Sequence, residues 1–92
     1  GRAAAVCVPR ALDAAANAVA AGEAHASAVL AAPPQVSASE PRARLEYAEL
    51  RDPKTLEVVE EVGTPTLLAL AVWVGSVRLI DNRVLHPGRL VR

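Results

Sequence analysis

The stretch from Leu67 to Leu85, LLALAVWVGSVRLIDNRVL, leaves this chain few ways to fold. It opens with a run of eight apolar residues, Leu67 to Val74, too short to cross a membrane and ending in the β-branched and aromatic Val72, Trp73 and Val74 that suit a pleated surface. The run reads as a strand covered on both faces. Gly75 can take the positive φ that the first central position of a type II′ turn demands, so Gly75-Ser76 predicts an antiparallel hairpin returning as Val77 to Leu85. The period of two then sorts the returning strand, with Val77, Leu79 and Asp81 on one side and Arg78, Ile80 and Asn82 on the other. Neither side is purely apolar. A charge on a partly buried face must be paired or lie at its edge, so Arg78, Asp81 and Asn82 mark a strand end or a contact surface.

Ahead of the hairpin the pattern changes to a helical one. Val8, Leu12, Ala15 and Val19 fall at helical spacing among alanines, and Gly22 is placed to end the helix. Pro9 costs nothing at a first-turn position and would kink the helix elsewhere, so the helix either starts at about Pro9 or bends there. A second short helix is predicted from Glu23 to about Ala32, burying Val29 and Leu30 and stopped by Pro33-Pro34. Residues 33–44, with Ser37, Ser39 and Pro41, read as a surface loop. Leu45 to Leu50 resumes as a short strand, Asp52-Pro53 signals a turn, and Thr55 to Glu61 is a short helical or irregular piece before Gly63 and Pro65. The order of elements predicts one α+β domain over residues 1–92, with an N-terminal helix pair packed on a small antiparallel sheet of about three strands and a tail at 86–92.

Composition excludes several function classes. Ten basic residues balance ten acidic ones, which leaves no field to draw nucleic acid or an anionic membrane surface. The single cysteine, Cys7, rules out an intrachain disulfide and a multi-cysteine metal site; beside it no basic residue run lowers its pKa, so it reads as a small buried hydrophobe. With no long apolar span and no recognisable leader in these residues, the expectation is cytoplasmic. His25 and His86 have no acidic or cysteine partner at metal-ligand spacing and read as solvent-facing. Glu57, Glu60 and Glu61 read as a solvated face rather than a catalytic carboxylate pair. No glycine-rich phosphate loop or serine nucleophile elbow is present, so the chain by itself carries no catalytic residues and no metal site.

Residues 45–85, LEYAELRDPKTLEVVEEVGTPTLLALAVWVGSVRLIDNRVL, resemble the C-terminal part of the pantothenate synthetase family, the ligases that join pantoate to β-alanine. The likeness rests on a strand ending in an Asp-Pro turn, a Thr-Leu-Glu step and an Arg-Leu-Ile-Asp-Asn strand in that order, preceded by alanine-rich helices ending AAGEAHASAVLAA. It extends from about Arg2 to Leu85, with departures at Pro9, in the loop from Pro33 to Arg44, and at Val77, where a threonine is common. The resemblance implies an enzyme that activates pantoate with ATP and magnesium as an acyl adenylate, which the amine of β-alanine then attacks. It also implies a preceding nucleotide-binding domain in the same polypeptide, carrying motifs of the His-x-Gly-His and Lys-Met-Ser types that these residues lack. On that reading the chain is the C-terminal lid over the cleft, binds neither ATP nor magnesium alone, and can self-associate as a homodimer.

The residues singled out for contact with that preceding domain are Arg78, Asp81 and Asn82, followed by Arg51 and Asp52. Each also has a structural reading. Arg78, Asp81 and Asn82 could satisfy one another and nearby backbone at a strand end, and Asp52 before Pro53 could serve the turn. The alternative to a lid is an independent α+β interaction or regulatory module that shares the topology without enzymatic activity.

Overall fold

The computed structural model describes residues 7–87. Helix α1 spans Cys7–Ala20, α2 is a single turn at Ala26–Val29, and α3 covers Ala32–Ala38. Three strands follow, β1 at Ala43–Arg51, β2 at Thr66–Val74 and β3 at Val77–Leu85, in an antiparallel sheet of order β1-β2-β3. The α+β architecture and the hairpin are as the sequence predicts, with Gly75 at φ +60°.

Helix α1 buries Val8, Ala11, Leu12, Ala15 and Val19 along one stripe, the spacing that its sequence pattern dictates. Pro9 is the third of the helix's described residues, and the helix runs on through it to Ala20. The C-terminus closes as a Schellman motif: Gly22 at φ +108° donates to the Val19 carbonyl at 3.1 Å, and Glu23 donates to that of Ala18 at 3.0 Å. Cys7 is buried, and burial pushes its thiol pKa up, with Glu40 adding to the shift.

Two expectations are corrected between Glu23 and Arg44. The second helix does not run from Glu23 to Ala32; it shrinks to the turn at Ala26–Val29, and the chain there is tied laterally by Ala26 N–H to Glu60 carbonyl at 2.9 Å and Val62 N–H to Ala24 carbonyl at 2.7 Å. Pro33-Pro34 opens α3 instead of stopping a helix, because a helix's first N–H groups have no carbonyl to reach and proline lacks that N–H. Residues 33–44 are therefore helix through Ala38, a turn, and the start of β1, with Ser37 buried and its Oγ donating to the Pro33 carbonyl at 3.1 Å. Residues 55–61 form no helix; they return to β1 through an isolated bridge between Arg51 and Val58. Of the tail, only His86 and Pro87 fall among the described residues.

Helices α1 and α3 pack together, α1 against β3 and α3 against β1. Between helices and sheet lies one core, in which Leu12, Val19, Val29, Leu50, Leu68, Leu70, Val72 and Leu85 are all almost completely shielded. Register places Thr66, Leu68, Leu70 and Val72 on the helix side of β2, opposite Leu85, Arg83, Asp81 and Leu79 of β3. The other side of β2 carries Leu67, Ala69, Ala71 and Trp73. This corrects the expectation of a strand covered on both faces: no described helix lies on that second side, and Leu67, Ala69 and Trp73 are only half-buried.

Candidate functional site

The uncovered face of the sheet is where polar side chains converge. Cross-strand pairing sets Arg44 of β1 beside Trp73 of β2, and Trp73 beside Arg78 of β3, in one row. A β-bulge between Leu45 and Tyr47 adds Glu46 as an unpaired residue on β1. Its carboxylate reaches across the sheet: Trp73 Nε1 donates to Glu46 Oε1 at 2.7 Å, Arg78 Nε donates to the same oxygen at 2.9 Å, and Arg78 Nη2 donates to Oε2 at 2.6 Å. The Arg44 guanidinium carbon sits 5.7 Å from the Trp73 ring centroid, within cation–π range. The result is a fork-to-fork ion pair bound to the chain's one tryptophan, with a second guanidinium on the ring.

This network fixes the charge state of its centre. The hydrogen bonds from Arg78 and then Trp73 hold the Glu46 carboxyl below its ordinary value, and Glu46 in turn raises Arg78. A depressed folded-state pKa gives stability that is complete above the unfolded value and is lost as pH falls through the folded one. Thermal melts of the wild type and of Glu46→Gln should therefore differ most above about pH 4.5, the ordinary glutamate value, and converge as the pH drops below it. A gap that persists unchanged in acid would show that the carboxylate charge contributes nothing.

The sequence-chosen residues separate. Arg78 and Asn82 project on the uncovered face, as alternation predicts; Asp81 lies on the helix side and is exposed there. Arg78 and Asp81 thus do not satisfy each other, because strand alternation sends them to opposite sides, and Arg78 takes Glu46 instead. Asp81 Oδ1 accepts the N–H of Asn82 at 2.8 Å. Arg51 is held by Glu49, at 3.0 Å from Nε and 2.5 Å from Nη2, and reaches the Leu56 carbonyl at 3.3 Å. Asp52 does form the turn: Oδ1 accepts the N–H groups of Lys54 and Thr55 at 2.8 and 2.9 Å, which lowers its pKa. That turn leaves Leu56 at φ +63° with its side chain largely exposed, a conformation that L-residues rarely adopt. Asp52, Pro53, Lys54, Thr64, Pro65 and Val84 line a cleft of about 460 Å³ at the end of the sheet.

Glu46, Trp73 and Arg44 escape a reading by sequence. The lone tryptophan in a strand was the available signal, yet nothing in the spacing ties it to a residue 27 positions earlier. His25 and His86 are exposed as expected, and no group of three His, Cys, Asp or Glu side chains suited to a metal occurs among the described residues. No described helix is long and apolar enough to cross a membrane.

Residues 1–84 match the family model described as pantoate-beta-alanine ligase. The chain belongs to that family. Among pantoate-beta-alanine ligase relatives, it is 46% identical over 83 residues to the pantothenate synthetase of Desulfatibacillum aliphaticivorans, covering 90% of this chain and 30% of that protein. The pantothenate synthetase of Syntrophobacter fumaroxidans is 49% identical over 78 residues, 85% of this chain and 28% of the relative. A crystal structure of pantoate-beta-alanine ligase (pantothenate synthetase) from Thermus thermophilus superposes with a TM-score of 0.78 at 25% identity, over 88% of this chain and 29% of that one. The chain therefore spans under a third of the length of these relatives.

Proposed function

We propose that this chain is the C-terminal lid of a pantothenate synthetase that condenses pantoate and β-alanine with ATP. In that reaction the pantoate carboxylate attacks the α-phosphorus of ATP and displaces pyrophosphate. The amine of β-alanine then attacks the acyl carbon of the pantoyl adenylate, and AMP leaves with the bonding electron pair. The reading is carried by the family match over residues 1–84 combined with coverage of only about 30% of the relatives. A domain of that kind acts in the cytoplasm, beside a preceding nucleotide-binding domain of the same polypeptide.

The nucleotide and magnesium belong to that preceding domain. Magnesium that accompanies a nucleotide is held by the phosphates with one or two carboxylates, a set this reading assigns to the preceding domain. What this chain supplies is cover. An acyl adenylate hydrolyses if water reaches it before the amine does, and a lid excludes that water. The uncovered sheet face, with Trp73 set between Arg44 and Arg78, supports a surface of fixed shape and charge for this purpose.

The test uses the polypeptide that carries both domains. It should catalyse pantoate-dependent exchange of pyrophosphate into ATP and form AMP and pantothenate in equal amounts, while the 92-residue chain alone gives no exchange. Arg78→Glu, which sets two carboxylates face to face, should break the one-to-one ratio by releasing AMP in excess of pantothenate. Exchange absent from the two-domain polypeptide would overturn the ligase reading; a ratio that stays at one in the variant would overturn the lid role of this face.

A further inference from the structure

The charges that cancel in the sequence do not cancel in space. At the hairpin end of the sheet, Arg44 and Arg78 flank Trp73 on the open face, and Arg42 lies against the turn, its Nη2 3.3 Å from where a Cβ on Gly75 would stand. Facing these three guanidinium groups are Glu46, paired with Arg78, and Glu40, whose Oε1 accepts the Arg42 N–H at 3.2 Å. At the other end, the connection from Asp52 to Pro65 carries four acidic residues and one lysine, and Glu57, Glu60 and Glu61 are exposed there. The nine residues of β2 hold the two ends about 26 Å apart, about three screening lengths at physiological salt. Each end therefore keeps its own sign, basic at the hairpin and acidic at the connection.

Within the basic end the arginines are not equivalent. Arg78 is occupied by Glu46, whose two oxygens together take three donors from Arg78 and Trp73. Arg44 is exposed, and its N–H groups meet no carboxylate among the described residues. An exposed arginine ordinarily has many rotamers open to it, and losing them opposes binding. Here the Trp73 ring supports the Arg44 guanidinium at 5.7 Å, and the ring is itself pinned at Nε1 by Glu46. Glu46, Trp73 and Arg78 thus hold one uncancelled cation in place, and a cation placed beforehand stabilises an arriving anion without reorganising. Among the reactants of the proposed ligase, the nucleotide's terminal phosphates carry the most negative charge, and that charge grows as pyrophosphate leaves. We infer that Arg44 is an anion-binding residue that takes the pyrophosphate portion of the nucleotide when the hairpin end of the sheet closes over the cleft. The inference rests on the lid reading and adds to it which end of the sheet enters and which side chain makes contact.

Calorimetric titration of the two-domain polypeptide with pyrophosphate, beside the kinetics of pyrophosphate exchange into ATP, tests this. Arg44→Ala should weaken pyrophosphate binding and raise the KM for pyrophosphate by about 10-fold, with the KM for pantoate unchanged. Arg44→Lys, which keeps a cation over the ring, should recover most of the affinity. Trp73→Leu removes no charge, yet it should weaken pyrophosphate binding several-fold because Arg44 loses its support. Undiminished affinity in Arg44→Ala would overturn the inference, and so would an equal rise in the KM for pantoate, which would mark a general disturbance of the cleft. Full affinity in Trp73→Leu would overturn the placing role of the indole. The lid reading is decided by a different quantity, the ratio of AMP to pantothenate in Arg78→Glu. A ratio above one there, with Arg44→Ala binding pyrophosphate as the wild type does, would keep the lid and overturn the contact through Arg44.

Discussion

Leu70→Ala should lower stability by about 3 kcal/mol, within the range for leaving a cavity in place of a buried leucine. Leu70 is fully shielded at the middle of β2, the central strand. The helix stripe facing the sheet includes Ala11 and Ala15, whose short side chains cannot swing into a hole left beneath them. A core built from small residues packs closely but relaxes little, so the cavity term stays large. For a domain of this size the loss corresponds to a fall in midpoint temperature of about 15 °C, readable by calorimetry. Leu70→Met, which conserves volume, should cost less than about 1.5 kcal/mol. Equal losses for the two substitutions would show that the site is loosely packed.

Gly75→Val should cost about 2 kcal/mol, through backbone and not core. Gly75 sits at φ +60°, where a β-branched residue is strained. A Cβ there would also lie 3.3 Å from Arg42 Nη2, although that guanidinium can move aside. The same glycine donates its N–H to the Arg42 carbonyl at 3.1 Å, which ties the hairpin tip to the start of β1. Urea titration gives the magnitude, with Gly75→Ala expected near half of it. Amide exchange should quicken first at Val74 and Val77, the pair that flanks the turn. A Gly75→Val variant as stable as the wild type would mean that the turn has moved to another type.

The hairpin and α1 were legible because their signals are local. Eight apolar residues, a Gly-Ser pair and an alternating strand specify pairing within a few residues, and the Schellman glycine lies next to the helix it closes. Pro33-Pro34 misled because proline is compatible with two opposite positions, just past a helix or at its first turn, and neighbouring residues do not decide between them. The candidate site was half legible. Alternation placed Arg78 and Asn82 on one face and Asp81 on the other, and Asp52 before a proline announced its turn. The partner of Arg78 was not, since Glu46 lies 32 residues away and reaches it only through a bulge that no composition signal marks. In sequence Arg78 is closer to Asp81, and proximity along a strand is a poor guide to which side chains meet.

The bulge at Glu46 also separates two demands on β1. Ala43 and Leu45 before it, and Ala48 and Leu50 after it, all turn toward the helices, opposite Val74, Val72, Leu70 and Leu68. Between Leu45 and Ala48 the inward step is three residues long instead of two, so the extra residue is spent entirely on the outer face. Omitting Glu46 would return the strand to an even count with the same four residues still facing inward. The length of β1 is thus set by what the outer face must present, and a chain relieved of that task could be one residue shorter without repacking its interior.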